Sequence, residues 1–301
     1  MNNPILQYHS GLIWAQLDRS RKALVEEVSF SLCAGESMAL IGETGSGKTM
    51  IALSIMKLLP SNVKMEKGSI RFCGEELMTK RNIRKLLGMS IVYIPQNGLE
   101  FLNPSKKVRH HLYDNLQKQG VVKLEEAALE KLRLAGFGHP EEILDKYPFQ
   151  LSGGMAQQVT IAISACSNPR LVIADEPTNG LDEQGKQNFH RLMNALFPEA
   201  AKLVITHDIG VAALCDRTLV LCGGRKMETG PSGALLQTPF HPYTKALIGA
   251  LVRNGMVETP VLRGQYGRCP FYRRCQMAQA SCKETVACHQ QEDREWWCCH
   301  D

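Results

Sequence analysis

Three unbroken apolar runs along the chain predict parallel strands that are covered on both faces. They are Ser37–Ile41, Leu171–Ala174 and Leu203–Thr206. Helical periodicity occupies most of the stretch between residues 99 and 165, for example at Glu125–Ala135. Together these patterns predict an α/β fold.

Shorter patterns predict the remaining elements. The expected elements are short strands within residues 1–41, a helix over Met50–Leu59 stopped by Pro60, a hairpin over Thr218–Met227 turned at Gly223-Gly224, and a helix over Tyr243–Val252. From about Thr238 the chain changes to a short linker, that last helix and a cysteine-rich tail.

Length and composition allow a large folded core. The 301 residues are 44% hydrophobic and 22% charged, which excludes collagen-like and disordered classes. The formal charge of +5 suits a phosphate ligand, an acidic partner or the inner face of a membrane, and it selects none of them. No stretch approaches the roughly 20 apolar residues of a membrane-spanning helix, and the N-terminus lacks the features of a secretory signal. We therefore expect a cytosolic protein, with other chains crossing any membrane at which it works.

The residues after the first apolar run fit the phosphate-binding pattern G-x-x-x-x-G-K-[ST], with a strand before it and a helix after it. The matching residues are Gly42, Glu43, Thr44, Gly45, Ser46, Gly47, Lys48 and Thr49. The glycines let successive backbone N–H groups face a polyphosphate, and the helix N-terminus adds partial positive charge. We expect Lys48 to reach the β- and γ-phosphates and the Thr49 hydroxyl to bind Mg²⁺. A glycine-rich turn without a ligand is the alternative.

Acidic residues and a histidine follow the two later apolar runs. Asp175 and Glu176 come at the end of the run Leu171–Ala174. Carboxylates at the carboxyl end of a parallel strand open into the ligand crevice. We expect Asp175 to help hold Mg²⁺ and Glu176 to be the base that orients the attacking water. His207 follows the run Leu203–Thr206, and there it would sense or polarise the γ-phosphate. A structural histidine is the alternative.

The segment Leu151–Met155 resembles the signature motif of ABC-type ATPases, and it precedes the acidic strand end as it does in that family. Its residues Ser152, Gly153 and Gly154 open a predicted helix, which gives a second N-terminus suited to anions. The resemblance implies that these residues close over the ATP held by an opposite subunit. Two subunits would then sandwich two nucleotides.

Other positions of the ABC family follow in order along the chain. Gln96 matches the glutamine that reaches the metal and the attacking water. Asp182 matches the acid of the loop that crosses the dimer interface, and His207 matches the switch histidine. The resemblance covers about residues 5–300 and implies an ATPase that uses ATP with Mg²⁺.

Two positions depart from the family pattern. The signature is followed by Ala156-Gln157-Gln158, where a basic residue and Gln-Arg are usual. This difference concerns the strength of the contact with the nucleotide held by the opposite subunit. An aromatic residue that stacks on adenine is expected upstream of the phosphate loop. Trp14 is the candidate, while a core position for Trp14 and the use of Gln16 instead are the alternatives.

The C-terminal third resembles ATPases that power peptide and nickel importers. Phe240–Leu247 carries this resemblance, and Leu102–Pro104, which follows Gln96, also resembles that group. It implies a P-loop (RecA-like) ABC ATPase core with an antiparallel β subdomain, a helical subdomain at about 97–155 and a small cysteine-rich C-terminal extension. The ATPase domain is expected over 1–237 and the extension over 238–301. The expected function is ATP hydrolysis that drives peptide import, with nickel or metal chelates as the second choice of cargo.

The resemblance also implies partners. We expect a second ABC ATPase subunit in a heterodimer, two transmembrane permease subunits and an extracytoplasmic substrate-binding protein, with this chain peripheral at the cytoplasmic face of the inner membrane. Nucleic acid is not an expected partner. The competing hypotheses are a soluble ABC ATPase that acts on nucleic acid or ribosomes, and a module that binds ATP without hydrolysing it. The sequence lacks the long coiled-coil insertions or duplicated halves usual in the first, and Glu176 and His207 argue against the second.

Cysteines crowd the tail of the chain. The tail holds Cys269, Cys275, Cys282, Cys288, Cys298 and Cys299 out of 11 cysteines in all. In a cytosolic protein such a cluster indicates a metal more than disulfides.

The tail resembles that of peptide-importer ATPases, which implies a [4Fe–4S] cluster. The implied ligands are Cys269, Cys275, Cys282 and Cys299. Cys298 and Cys288 are further candidates for the fourth ligand. Zinc, a transition metal held with His289 and His300, or no metal at all are the alternatives.

Overall fold

The computed structural model describes residues 3–18, 20–79, 83–250 and 268–300. Its strands are β1 (Leu6–Leu17), β2 (Ser20–Leu32), β3 (Ser37–Ile41), β4 (Val63–Phe72), β5 (Glu75–Glu76), β6 (Ile91–Ile94), β7 (Leu171–Asp175), β8 (Ala201–Thr206), β9 (Arg217–Cys222), β10 (Arg225–Pro231), β11 (Ala287–Gln291) and β12 (Arg294–Cys298). Its helices are α1 (Lys48–Ile55), α2 (Gly98–Phe101), α3 (Val108–Lys118), α4 (Leu124–Leu134), α5 (Pro140–Leu144), α6 (Gly153–Ala165), α7 (Glu183–Leu196), α8 (Ile209–Ala213), α9 (Ser232–Gln237) and α10 (Pro242–Gly249). The chain forms two compact units.

The first unit comprises Met1–Ile5, Cys33–Glu36 and Arg81–Val204. In this unit β6 and β7 pair in parallel, and β8 lies beside β7. Every residue of β7 is buried, as expected for a strand that is covered on both faces. The apolar run therefore predicted this strand correctly.

Helices α3 to α6 share one apolar core in the first unit. Val108, Leu112 and Leu116 form a buried stripe along α3, at the spacing of an amphipathic helix. In contrast, α6 is buried on nearly all sides from Ala156 to Ala165. A helix that is buried all round lies at the centre of a core. The other helices therefore pack around α6, and the expected helical subdomain at 97–155 falls within this unit.

The second unit comprises Leu6–Leu32, Ser37–Lys80 and Ile205–Asp301. It holds an antiparallel sheet with the strand order β2-β1-β4-β5. The prediction of short strands was wrong here, because β1 has 12 residues and β2 has 13. Their register shifts between Ile13 and Trp14. A shift of this kind breaks the alternation of polar and apolar residues by which a long strand is recognised.

The remaining strands of the second unit follow the order β11-β12-β10-β9-β3. Strands β3 and β9 are parallel, whereas β9 and β10 form the predicted antiparallel hairpin. Its turn is made by Gly223 and Gly224, with φ of 51° and 81°. The cysteine-rich tail adds β11 and β12 to these strands, which the sequence did not predict.

The two helices predicted near prolines agree with the structure apart from their ends. Helix α1 begins at Lys48 and ends at Ile55, ahead of Pro60. Helix α10 ends at Gly249, and Val252 of the prediction lies outside the described residues. The expected boundary between 237 and 238 falls between α9 and α10 and stays a prediction. Within the described ranges, no helix is both long and apolar enough to span a membrane.

A buried ion pair joins the tail to the strands of the second unit. Glu228 on β10 is 0% exposed, and its Oε1 accepts a hydrogen bond from Arg294 Nη2 of β12 at 2.7 Å. The same carboxylate accepts the backbone N–H groups of Phe240 and His241, each at 3.0 Å. Because a buried carboxylate is costly without such partners, β10, β12 and the start of α10 depend on one another.

We expect Arg294→Met to lower the free energy of unfolding by about 3–5 kcal/mol, because it leaves the Glu228 charge buried without its cation. Urea denaturation followed by circular dichroism measures the change. Arg191→Met on the exposed face of α7 is the control and should stay within about 0.5 kcal/mol of the unaltered protein. Adding Glu228→Gln to Arg294→Met should recover part of the loss. A double variant no more stable than Arg294→Met would contradict this explanation.

Candidate functional site

The loop from Gly42 to Thr49 joins β3 to α1 in the second unit. Gly42, Gly45 and Gly47 have φ of 152°, 82° and 100°, which residues with a Cβ rarely adopt. A Cβ at Gly42 would also overlap the carbonyl oxygen of Leu221 on β9. Only glycine therefore lets the loop follow this path.

Polar groups inside this loop suit a bound polyphosphate. The Lys48 Nζ bends back and donates to the carbonyl oxygens of Gly42 at 2.7 Å and Glu43 at 3.1 Å. The Ser46 hydroxyl is buried and has no hydrogen-bond partner among the described residues. A buried hydroxyl without a partner is costly, and a phosphate oxygen would supply one. Thr49 is exposed in the first turn of α1, where its hydroxyl is open to a metal ion.

Two residues that the sequence analysis missed also contact the phosphate loop. The backbone N–H of Glu43 donates to the Tyr243 hydroxyl at 3.2 Å, and the Glu43 carboxylate accepts a hydrogen bond from Arg274. The sequence does place Tyr243 in the string that resembles importer ATPases. It gives no signal that either residue meets the loop.

His207 lies just after β8 in the second unit and is exposed. The next residue, Asp208, caps α8, since its Oδ1 accepts the N–H groups of Gly210 at 2.7 Å and Val211 at 3.3 Å. This cap fixes the direction of the chain beside His207. The role of His207 at the γ-phosphate stays a prediction.

Trp14 lies on β1 and is 7% exposed. The guanidinium carbon of Arg21 lies 4.1 Å from the centroid of its ring, so one ring face is covered by a cation. The expected stacking of Trp14 on adenine stays a prediction.

The predicted acidic pair ends β7 in the first unit. Asp175 is 7% exposed, and its Oδ2 accepts a hydrogen bond from the Tyr93 hydroxyl on β6 at 3.1 Å. Burial, together with the neighbouring carboxylate, raises the pKa of Tyr93, so this hydroxyl remains a donor. Glu176 follows with a φ of 47°, a left-handed conformation that is strained for a residue other than glycine.

A cavity of about 730 Å³ in the first unit brings several predicted residues together. Gln96, Gly153, Gly154 and Asp175 line it. The loop over 95–98 (the glutamine loop), the first turn of α6 (the signature helix) and the carboxyl end of β7 therefore face the same space. Asp182 caps α7 instead, where its Oδ1 accepts the N–H of Gly185 at 2.8 Å.

The glutamine loop is attached to the signature helix α6 on both sides of Gln96. Gln157 Nε2 donates to the Pro95 carbonyl oxygen at 3.3 Å, and Thr160 Oγ1 donates to that of Gly98 at 3.2 Å. A Cβ at Gly98 would lie only 2.8 Å from the Ala156 backbone. The loop and the helix are therefore in direct backbone contact. At the start of α6, Ser152 Oγ accepts the N–H of Met155 at 3.3 Å, which leaves the exposed Gly153 and Gly154 as the first helical residues.

The thiols of five tail cysteines in the second unit affect one another's pKa values, and Cys288 is the exception. Burial raises the pKa of the Cys269 thiol to about 12, with smaller contributions from the thiols of Cys298, Cys282 and Cys275. Burial also raises the pKa of Cys299 to about 11, with a contribution from Cys282. These thiols are therefore within electrostatic range of one another. Cys288 is exposed, and the charged groups that affect its pKa are Glu295 and Lys226 instead.

The donor set of this cysteine group consists of soft thiols, which suits an iron–sulfur cluster. Across the described ranges, no three His, Cys, Asp or Glu side chains come close enough together to hold a single metal ion.

Comparison with known proteins gives the class of this chain. The family described as "ABC transporter" matches residues 25–179, and the family described as "Oligopeptide/dipeptide transporter, C-terminal region" matches residues 227–282. The dipeptide transport ATP-binding protein DppD of Caldanaerobacter subterraneus is 33% identical over 296 residues, which covers 88% of this chain and 90% of the relative. The oligopeptide transport ATP-binding protein OppD of Haemophilus influenzae is 34% identical over 298 residues, covering 93% of this chain and 92% of the relative.

Solved structures share the fold. A dimeric ATP-binding cassette in a post-hydrolysis state, with ADP and phosphate bound, matches with a TM-score of 0.65 at 22% identity, covering 75% of this chain and 98% of that one. Fold and phosphate loop together define a P-loop ATPase. The chain belongs to the ABC transporter family and is one of its ATP-hydrolysing members. The family resemblance and the ATPase core predicted from the sequence are confirmed, while the individual residue roles stay predictions.

Tyr93 is a further residue that sequence reasoning missed, and it yields a test of the acidic strand end. We expect Tyr93→Phe to raise the Mg²⁺ concentration for half-maximal ATP hydrolysis by about 3–10-fold, because Asp175 loses a hydrogen-bond donor that fixes its carboxylate. A magnesium titration of the ATPase rate measures this. Tyr113→Phe on α3 is the control and should leave the titration unchanged. Equal magnesium curves for Tyr93→Phe and the unaltered protein would exclude a positioning role for Tyr93.

Proposed function

We propose that this chain is the ATP-hydrolysing subunit of an importer for peptides. The observation that carries the proposal is similarity over most of the chain to proteins named as dipeptide and oligopeptide transport ATP-binding proteins, at 33% and 34% identity. The match of residues 227–282 to an oligopeptide/dipeptide transporter region supports the same cargo. Nickel or a metal chelate is the second choice of cargo. A machine acting on nucleic acid is not proposed, because these relatives are named for transport.

ATP binds, in this proposal, with its phosphates on the loop from Gly42 to Thr49. Lys48, which now donates to two carbonyl oxygens of its own loop, turns to the β- and γ-phosphates. Thr49, Gln96 and Asp175 hold Mg²⁺, directly or through water. Glu176 orients the attacking water, and His207 contacts the γ-phosphate. Trp14 remains the candidate for stacking on adenine.

A second ATPase subunit completes each nucleotide site in this proposal. Ser152, Gly153 and Gly154 are exposed at the N-terminus of α6, where backbone N–H groups and the helix dipole favour an anion. They contact the nucleotide of the opposite subunit, and Asp182 lies at the shared interface. The second subunit is a different chain, as is frequent among peptide importers.

The proposed assembly contains two permease subunits in the membrane and a binding protein outside it. This chain is peripheral, at the cytoplasmic face of the inner membrane. Closure of the ATPase dimer on ATP, and its opening after hydrolysis, would drive the permeases between their two orientations.

The tail, we further propose, holds a [4Fe–4S] cluster through Cys269, Cys275, Cys282 and Cys299. The resemblance of the tail to that of peptide-importer ATPases supports this proposal. Cys298 is a competing fourth ligand, because its thiol affects the pKa values of Cys269 and Cys299. Cys288 is disfavoured, because its thiol is exposed and its pKa responds to Glu295 and Lys226. The cluster would stabilise the tail rather than take part in hydrolysis.

The importer proposal is tested by reconstituting this chain with its partner ATPase, permeases and binding protein in liposomes. Peptide uptake should require ATP. Glu176→Gln should slow hydrolysis by about 10²–10⁴-fold, because the water loses its base, while the Kd for MgATP stays within about threefold. Glu183→Gln, an exposed acid at the start of α7, is the matched control and should leave the rate unchanged. Hydrolysis by Glu176→Gln at the wild-type rate would refute its role. ATP hydrolysis without peptide uptake would refute peptide as the cargo, while the assignment of this chain as an ATPase would stand.

The cluster proposal is tested by iron and sulfide analysis and by visible absorption of anaerobically purified protein. We expect iron and sulfide in the unaltered protein, their loss in Cys282→Ser, and their retention in Cys288→Ser, because only the first removes a ligand. Comparing Cys298→Ser with Cys299→Ser identifies the fourth ligand, and we expect loss in Cys299→Ser. Protein without iron and sulfide would contradict the proposal.

A further inference from the structure

Glu43 is an acidic residue within the loop that must accept a polyphosphate. Its backbone N–H, its carbonyl oxygen and one carboxylate oxygen are held by other residues of the second unit. Its N–H donates to Tyr243 Oη at 3.2 Å, and its carbonyl oxygen accepts from Lys48 Nζ at 3.1 Å. Its carboxylate oxygen Oε1 accepts from Arg274 Nη1 at 2.7 Å. The backbone and the side chain of Glu43 are therefore both fixed before a nucleotide arrives.

Arg274 is itself fixed by a built pocket. Its side chain is only 7% exposed, whereas that of Glu43 is 41% exposed. The guanidinium carbon lies 5.1 Å from the ring centroid of Phe271 and 5.8 Å from that of Tyr243. These two rings meet edge to face with centroids 5.3 Å apart, and both residues are buried. The pocket holds the cation beside the loop through contacts with aromatic ring faces.

The charge of Glu43 makes this contact relevant to nucleotide binding. An unpaired carboxylate in the loop would repel the negative phosphates of ATP, and in a partly buried site that repulsion is screened much less than in water. A guanidinium at 2.7 Å from the carboxylate neutralises it through a charge-assisted hydrogen bond. The same bond directs the Glu43 side chain towards the C-terminal segment.

We propose that Arg274 is a positioning residue for the nucleotide, acting through Glu43. It neutralises the carboxylate of Glu43 in the phosphate loop and holds it in place. Through this contact the segment around Arg274 raises the affinity of the loop for ATP. The inference rests on the proposed binding of phosphates at this loop. It assigns the C-terminal extension a direct part in nucleotide affinity.

The test is a double-variant cycle on the full chain, with the Kd of MgATP measured by isothermal titration calorimetry at one fixed ionic strength. Arg274→Gln should raise the Kd about tenfold, which corresponds to about 1.4 kcal/mol. Arg273→Gln removes the same charge from the exposed neighbouring residue and should change the Kd by less than about twofold. In a Glu43→Gln background, Arg274→Gln should also change the Kd by less than about twofold, because no carboxylate is left to neutralise.

Two further measurements exclude a general effect on the fold. Circular dichroism without nucleotide should show Arg274→Gln and Arg273→Gln equally folded at the assay temperature. The iron content should also be equal, and it is measured because Arg274 adjoins Cys275. Should Arg274→Gln fail to fold, the same cycle is run with Arg274→Lys, which keeps the charge and loses the planar fork. The expected change is then about threefold with Glu43 present and none with Glu43→Gln.

The proposal is overturned if Arg274→Gln binds MgATP as tightly as the unaltered protein, or if it loses as much affinity with Glu43→Gln as with Glu43. Failure of the unaltered chain to bind MgATP would overturn both this proposal and the assignment of the phosphate loop. If the unaltered chain binds MgATP normally but Arg274→Gln lowers affinity equally with Glu43 and with Glu43→Gln, only the role of Arg274 is overturned.

Discussion

The close approach of the phosphate loop to its neighbouring backbone is the constraint on which the rest of the second unit depends. At Gly42 a Cβ would overlap the Leu221 carbonyl oxygen, and at Gly47 it would lie 2.8 Å from that of Leu24. The loop is thus confined between β9 on one side and β2 on the other. The helix N-terminus at Lys48 and the buried Ser46 hydroxyl take their positions from this confinement.

The C-terminal segment over 268–300 belongs to the same compact unit as the phosphate loop. Its strand β12 pairs with β10, and Arg294 reaches a carboxylate that is wholly buried. Arg274 adds a second ion pair, made directly to the phosphate loop. The two ion pairs therefore join this segment to β10 and to the phosphate loop.

The sequence predicted those parts of the fold and site that local physics determines. The glycine pattern identified the phosphate loop, and the apolar run before Asp175 identified β7, because each signal lies within a few residues. Contacts between distant residues left no such signal. Tyr93 meets Asp175 across 82 positions, and Arg274 meets Glu43 across 231. Strand β11 was missed because its residues are mainly exposed, so that no alternation of apolar residues marks it.

The double attachment of the glutamine loop to α6 has a mechanical consequence. Hydrogen bonds from Gln157 and Thr160 hold the backbone on either side of Gln96, and Gly98 leaves no gap between loop and helix. Because the loop is bonded to the helix on both sides of Gln96, a displacement of the loop would be passed on to α6. The first turn of that helix carries Gly153 and Gly154. In the proposed dimer, the residue assigned to the Mg²⁺ of one nucleotide and the glycines assigned to the other nucleotide therefore belong to one connected loop and helix.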